Sequence, residues 1–157
     1  MNERYGDRPT VGGEETLVRY VGGSHVDSST GIINGSAFER TAKDTDGVSL
    51  TRRGILAAAK DHDREAIKKV VGSRLSLGKT AVFAEIRAGA VLDCLAEFEQ
   101  GIFICEDPLP EVGLELANPA HALIIGFPFQ GESIGSLKSE EAGDRLRHQI
   151  QDRFPAI

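Results

Sequence analysis

Alternating apolar and polar residues over 16–21, TLVRYV, predict a first strand that Gly22 and Gly23 end. The following stretch, 24–50, reads SHVDSSTGIINGSAFERTAKDTDGVSL and holds more small polar groups than a core needs. Within it, 31–34 predicts a short strand and Gly35 a bend. Ser36 and Phe38 then share one face of an extended segment, with Ala37 on the other. Asp46-Gly47 is a tight-turn pair, Asp44 can bond its own backbone, and Val48-Ser49-Leu50 leaves the turn as a strand. Pairing of the two segments predicts a hairpin that brings Ser49 near Ser36 or Phe38, with Lys43 at one end.

Further on, 55–59 predicts a short helix or turn. Asp61 or Asp63 caps a helix reaching about Leu75, with Ala66, Ile67, Val70 and Val71 against a sheet and Arg64, Lys68 and Lys69 toward water. Residues 80–86 predict a strand. Val91, Leu92 and Leu95 give a short helix over 88–98, and 102–105 is a buried strand that Asp107-Pro108-Leu109-Pro110 stops. The loop over 106–119 is long enough to point to a function. It leads into 120–127, read as the last core strand, with His121 at its entry. Ser139 caps a final helix over 140–154, where Ala142, Leu146 and Ile150 lie four apart. These elements predict an α+β fold: a small mixed or antiparallel sheet with two to four packed helices, one domain over 16–157. The polar, non-periodic residues 1–15 predict a flexible arm.

Composition adjusts this picture little. A chain of 157 residues, 40% hydrophobic and 27% charged, has the size and balance of an ordinary single domain. No run approaches the roughly 18 apolar residues of a membrane span, and MNERYGDRPT is no signal sequence, so a soluble cytoplasmic protein with no membrane partner is expected. Cys94 and Cys105 stand apart with no ligand-spaced histidine, which predicts two buried thiols and neither a metal site nor a disulfide. Gly72 to Thr80 resembles a phosphate-binding loop, but its first glycine is one residue early and it follows a helix where such a loop follows a strand. No cofactor is predicted.

Charge is unevenly spread. Residues 40–79 hold ten basic and five acidic side chains, a balance of +5, while 80–119 hold one and eight, a balance of −7. Such a split suits a protein partner, or a nucleic acid meeting Arg52, Arg53, Lys68 and Lys69. The catalytic candidates are His25, Ser36, Ser49 and His121, and the binding candidates are Arg19, Phe38, Lys43 and Asp46. His121 gains a carboxylate from Glu106 or Asp107 if their strands are neighbours, the arrangement of a general base.

Three segments resemble a group of small uncharacterised bacterial proteins: Gly35-Ser36-Ala37-Phe38, Lys43 with Gly47-Val48-Ser49-Leu50, and Asp107-Pro108-Leu109-Pro110 with Asn118-Pro119-Ala120-His121-Ala122. In that group an early histidine, here His25, precedes the first segment. The resemblance spans 20–126, implies no known activity, and implies that the three polar segments converge. The loop here is longer than the group's by 111–117.

The expected function is a non-enzymatic binding or accessory protein, a partner subunit of a defence or toxin–antitoxin-like system. This rests on the absence of a metal constellation, a nucleophile elbow and a complete cofactor loop. One alternative is a nucleotide-using enzyme of ADP-ribosyltransferase-like kind, with Arg19 or His25, then Ser36 or Ser49 beside Phe38, then Glu85 or His121. The other is a nucleic-acid-binding domain.

Overall fold

The computed structural model describes residues 6–41, 44, 46–98, 101–135 and 137–157. It is an α+β fold with an antiparallel sheet. The strands are β1 (Thr16–Val21), β2 (Val48–Arg52), β3 (Val82–Arg87), β4 (Phe103–Glu106), β5 (His121–Ile125), β6 (Ser133–Ile134), β7 (Leu137–Lys138) and β8 (Asp152–Pro155). The helices are α1 (Lys60–Gly72), α2 (Ala88–Cys94) and α3 (Ser139–Arg147). Six strands lie in the order β4-β5-β2-β1-β3-β8, and β6 and β7 make a separate ribbon.

The pairing divides the sheet into two wings. β1 and β3 match over six residue pairs and β2 and β5 over four, but β1 and β2 meet only at Leu17 with Arg52 and Val18 with Thr51. Beyond Val18 the two central strands separate. Backbone groups there need other partners, and the guanidinium of Arg19 supplies one set: Nε donates to the Ala37 carbonyl at 3.0 Å and Nη1 to the Ser49 carbonyl at 2.9 Å.

Period-two alternation sorts side chains to the two faces. Leu17, Val21, Val48, Leu50, Ala84, Ile86, Ala122 and Ile124 join the main core with α2, α3 and the one-turn helix Gly35–Phe38. Val18, Phe83 and Phe154 face the other way and pack with Ile67 of α1. There Phe83 stacks on Phe154 with ring centres 5.1 Å apart, and Tyr20 tilts onto Phe83 at 5.5 Å.

The region over 31–38 departs from the predicted hairpin. Val26 and Ile33 form a single bridge, and 35–38 is a tight helical turn, so Ser36 and Ser49 do not pair. The turn is pressed onto α3: a β-carbon at Gly35 would lie 2.7 Å from the Asp144 amide nitrogen. Only glycine permits that approach.

The terminal helix also stops early, at Arg147, and the chain becomes edge strand β8. Strand geometry buries Phe154 and Ala156 against the α1 side, and Pro155 is tolerated at an edge. β5 is therefore not the final strand. Ser139 is the first helical residue and not the cap; its hydroxyl accepts from the Gly131 amide. Ala59, which makes no side-chain cap, precedes α1. The expected arm is tied down in its described part: Pro9 accepts from the Glu106 amide, Thr10 bridges Cys105, and Val11 is buried. Cys105 is buried, whereas Cys94 is only half-buried.

Candidate functional site

The α1-covered face carries two polar clusters. The first lies by the N-terminal half of α1. Asp63 is fully buried and takes the Arg53 guanidinium at 2.6 Å together with the amides of Gly54 and Ala57. Arg53 also reaches Glu85 at 2.7 Å, and Arg64 spans Glu85 and Asp152 at 3.0 Å each. The carboxylates here meet guanidinium groups at charge-assisted distance, which makes this cluster a tie between α1, β3 and β8. Arg64 therefore does not point to water.

The second cluster lies by the other end of α1, where the wings separate. A pocket of about 330 Å³ opens there. Val18, Tyr20, Val71, Leu75, Phe83 and Leu109 supply apolar walls, and Ser49, Thr51, Arg74, Asn118 and His121 supply polar groups. The volume falls at the small end of the roughly 300–1,000 Å³ range of ligand pockets. Ser49, Thr51 and His121 reach it because all three point to the same sheet face: Thr51 is the direct cross-strand partner of His121, and Ser49 pairs with Leu123.

Neighbouring β4 and β5 bring the Asp107 loop to His121. The ring's Nδ1 lies 2.9 Å from the Asp107 carbonyl and 3.0 Å from its carboxylate. Both partners are acceptors, so Nδ1 carries the proton, and Nε2 of the neutral ring is an acceptor. The other carboxylate oxygen of Asp107 meets Arg8 at 3.0 Å. Burial pushes the imidazole pKa below 6.5, outweighing Asp107, and nearby Arg74 acts in the same direction. At neutral pH the ring is uncharged.

Asp107 is not part of the pocket wall, so His121 meets the pocket away from its Nδ1 edge. Neither Nε2 nor the Ser49 hydroxyl has a hydrogen-bond partner among the described residues. Neither is sealed, since the one fully buried unpartnered side-chain polar atom there is Arg64 Nε. Thr51 Oγ1 receives a long bond, 3.4 Å, from Asn118 Nδ2, whose oxygen holds the Ala120 amide. The Tyr20 hydroxyl is occupied, between the Gly78 amide and the Ser76 carbonyl.

The cations at the rim are already matched. Arg74 bonds the Pro110 and Leu116 carbonyls and Glu115, anchoring the 106–119 loop to the end of α1. Arg19 lies 3.8 Å from Asp44. Burial lowers the Arg19 pKa and Asp44 partly restores it.

The expected convergence thus splits in two. Arg19, Ser49 and His121 line the pocket. His25 and Ser36 lie elsewhere, on the separate one-turn helices Gly23–His25 and Gly35–Phe38, joined by a 2.7 Å contact between Nδ1 and Oγ, and the second of these packs against the opposite sheet face. No third group orients His25 among the described residues, the feature that distinguishes an activated hydroxyl. Phe38 is a buried core side chain of that face and is not in the wall of this pocket. Asp46 is outside the pocket wall and acts on the charge of Arg40. Lys43 lies outside the described residues.

Of the residues named for an ADP-ribosyltransferase-like site, Arg19, Ser49 and His121 line the pocket, whereas His25, Ser36 and Phe38 are across the sheet from Ser49 and His121 and Glu85 belongs to the ion-pair cluster. The basic set is also engaged. Arg52 pairs with Glu15 and Glu106, Arg53 with Asp63 and Glu85, and Lys68 with Glu65, leaving Lys69 exposed on α1. Asp44, Thr51, Arg74 and Asn118 are polar residues of the pocket wall that were not among the candidates. Thr51 was within reach, two residues from Ser49 in a strand.

Among the described residues no three His, Cys, Asp or Glu side chains gather to hold a metal ion, and no helix is long and apolar enough to cross a membrane. Compared with known proteins, the chain matches no family model, no curated protein sequence and no solved structure.

Proposed function

We propose that this protein binds a small, largely apolar organic molecule in the pocket between α1 and the separated central strands. The observation that carries this reading is the pairing of apolar walls, Val18, Val71, Leu75 and Phe83, with unused hydrogen-bonding groups on Ser49 and His121. Pockets that fix ligands combine these two features. Screening fragment-sized aromatic and aliphatic compounds by ligand-observed NMR tests it. Leu75, half-exposed at the rim, is the place to plug the entrance: Leu75→Trp is expected to abolish binding while leaving the fold intact. Absence of any binder in the unmodified protein, or binding indifferent to the plug, would refute it.

A second reading, a protein partner, is favoured by one observation. Leu114 at the tip of the 106–119 loop is 95% exposed and Val112 59%, on a segment that Arg74 holds in place. Fixed apolar side chains projecting into water suit insertion into another surface. A photo-crosslinking residue at position 114, introduced in the source cell, is expected to give a discrete adduct that Val112→Asp removes. Loss of the adduct signal altogether would retire this reading.

A further inference from the structure

We infer that the molecule bound in the pocket carries a hydroxyl, phenol-like or enol-like, that donates a hydrogen bond to His121 Nε2. The inference rests on the proposed small-molecule reading and specifies its ligand class.

Asp107 takes the Nδ1 proton of His121, which leaves Nε2 as a lone pair at the pocket. A carboxylate or other pure acceptor brought to that atom would set two lone pairs against each other. The rim offers an anion no uncommitted cation, because Arg74 serves Glu115 and two carbonyls and Arg19 serves Asp44 and two carbonyls. A donor is therefore required, and the groups beside Nε2 suit an oxygen. The Ser49 hydroxyl is unpartnered, and Thr51, directly across from His121, accepts from Asn118 and has its own O–H left to give. Cross-strand partners stand about 5 Å apart at their β-carbons, the separation at which one ligand atom can meet both side chains. The aromatic pair Tyr20 and Phe83 forms the apolar wall that a ring would lie against.

The ligand hydroxyl donates its hydrogen bond to Nε2 and its oxygen accepts from Ser49 and Thr51, so each unused polar group of the pocket is matched and the buried ring stays neutral.

The test compares 4-nitrophenol with nitrobenzene, at a pH below the phenol's own ionisation, in the full chain. The phenol is expected to bind roughly tenfold tighter, the upper end of the net value of a hydrogen bond. In His121→Phe, which keeps a ring and offers no acceptor, that preference is expected to vanish while nitrobenzene binding persists and certifies the fold. Equal affinity of the two probes in the unmodified protein would overturn the inference and leave the pocket reading standing. A preference for the phenol retained in His121→Phe would overturn it as well. Failure of both probes to bind at millimolar concentration would count against the pocket reading itself.

Discussion

The two polar clusters beneath α1 share a sheet face and a helix, yet they are built to opposite ends. Around Asp63 and Glu85 the carboxylates meet guanidiniums or amides, and the open cavity bordered by Arg53, Glu85 and Asp152 does not include Asp63 in its wall. Around His121 the orienting half of the network is complete, with Asp107 fixing the ring, while the outward half ends at a cavity. Buried polar groups are ordinarily matched. The tie also keeps an unmatched atom, Arg64 Nε, but that atom is sealed, whereas the unmatched groups of Ser49 and His121 belong to the wall of a cavity.

The sharpest break of that comparison is in stability. Asp63→Ala strips Arg53 of one carboxylate and leaves the Gly54 and Ala57 amides without their acceptor. Removing one partner of a buried pair costs about 3–5 kcal/mol, a loss that chemical denaturation measures. Substitutions in the open cluster should cost far less. Ser49→Ala removes a hydroxyl with no partner, and its expected effect is within about 0.5 kcal/mol. An equal loss in both variants would erase the distinction between tie and site.

Acid titration sharpens it further. The His121 pKa is lowered in the folded chain relative to 6.5, so between those values the unfolded state binds more protons. Stability from this group is thus present above pH 6.5 and lost as pH falls through the folded value. The difference in stability between the unmodified protein and His121→Gln is expected to narrow as pH is lowered from 7, read by denaturation at a series of pH values. A difference that is flat with pH would contradict the buried neutral ring.

The smallest expected effect lies across the sheet. Ser36→Ala breaks the contact with His25 at a half-exposed position and should leave probe binding in the pocket unchanged. A change in affinity for 4-nitrophenol in that variant would mean the two histidines belong to one site after all.

Much of this architecture is legible in the chain. β1 follows from the alternation of TLVRYV, and the approach of Asp107 to His121 follows from two adjacent strands meeting at a proline-stopped end. What misled was local likeness without long-range information. Gly35-Ser36-Ala37-Phe38 alternates like a strand, but Ala37 and Phe38 are both buried in the same core with α3, a pattern of a tight turn. Phe154 continues a helical spacing from Leu146 and Ile150, yet its burial comes from stacking on Phe83, some seventy residues earlier. The pocket itself has no local signature. It exists because β1 and β2 pair at only two positions, and a ladder's length is decided by what flanks it in space.

The most direct measurement is a nitrogen-15 spectrum of the histidine rings during titration with 4-nitrophenol. The account predicts that His121 begins as the Nδ1-protonated neutral tautomer and that its Nε2 signal moves on binding as an acceptor gaining a hydrogen bond does, short of the protonated position, while His25 stays where it was. An Nε2-protonated ring in the free protein, or a titration that leaves His121 unmoved while the probe binds, would contradict it.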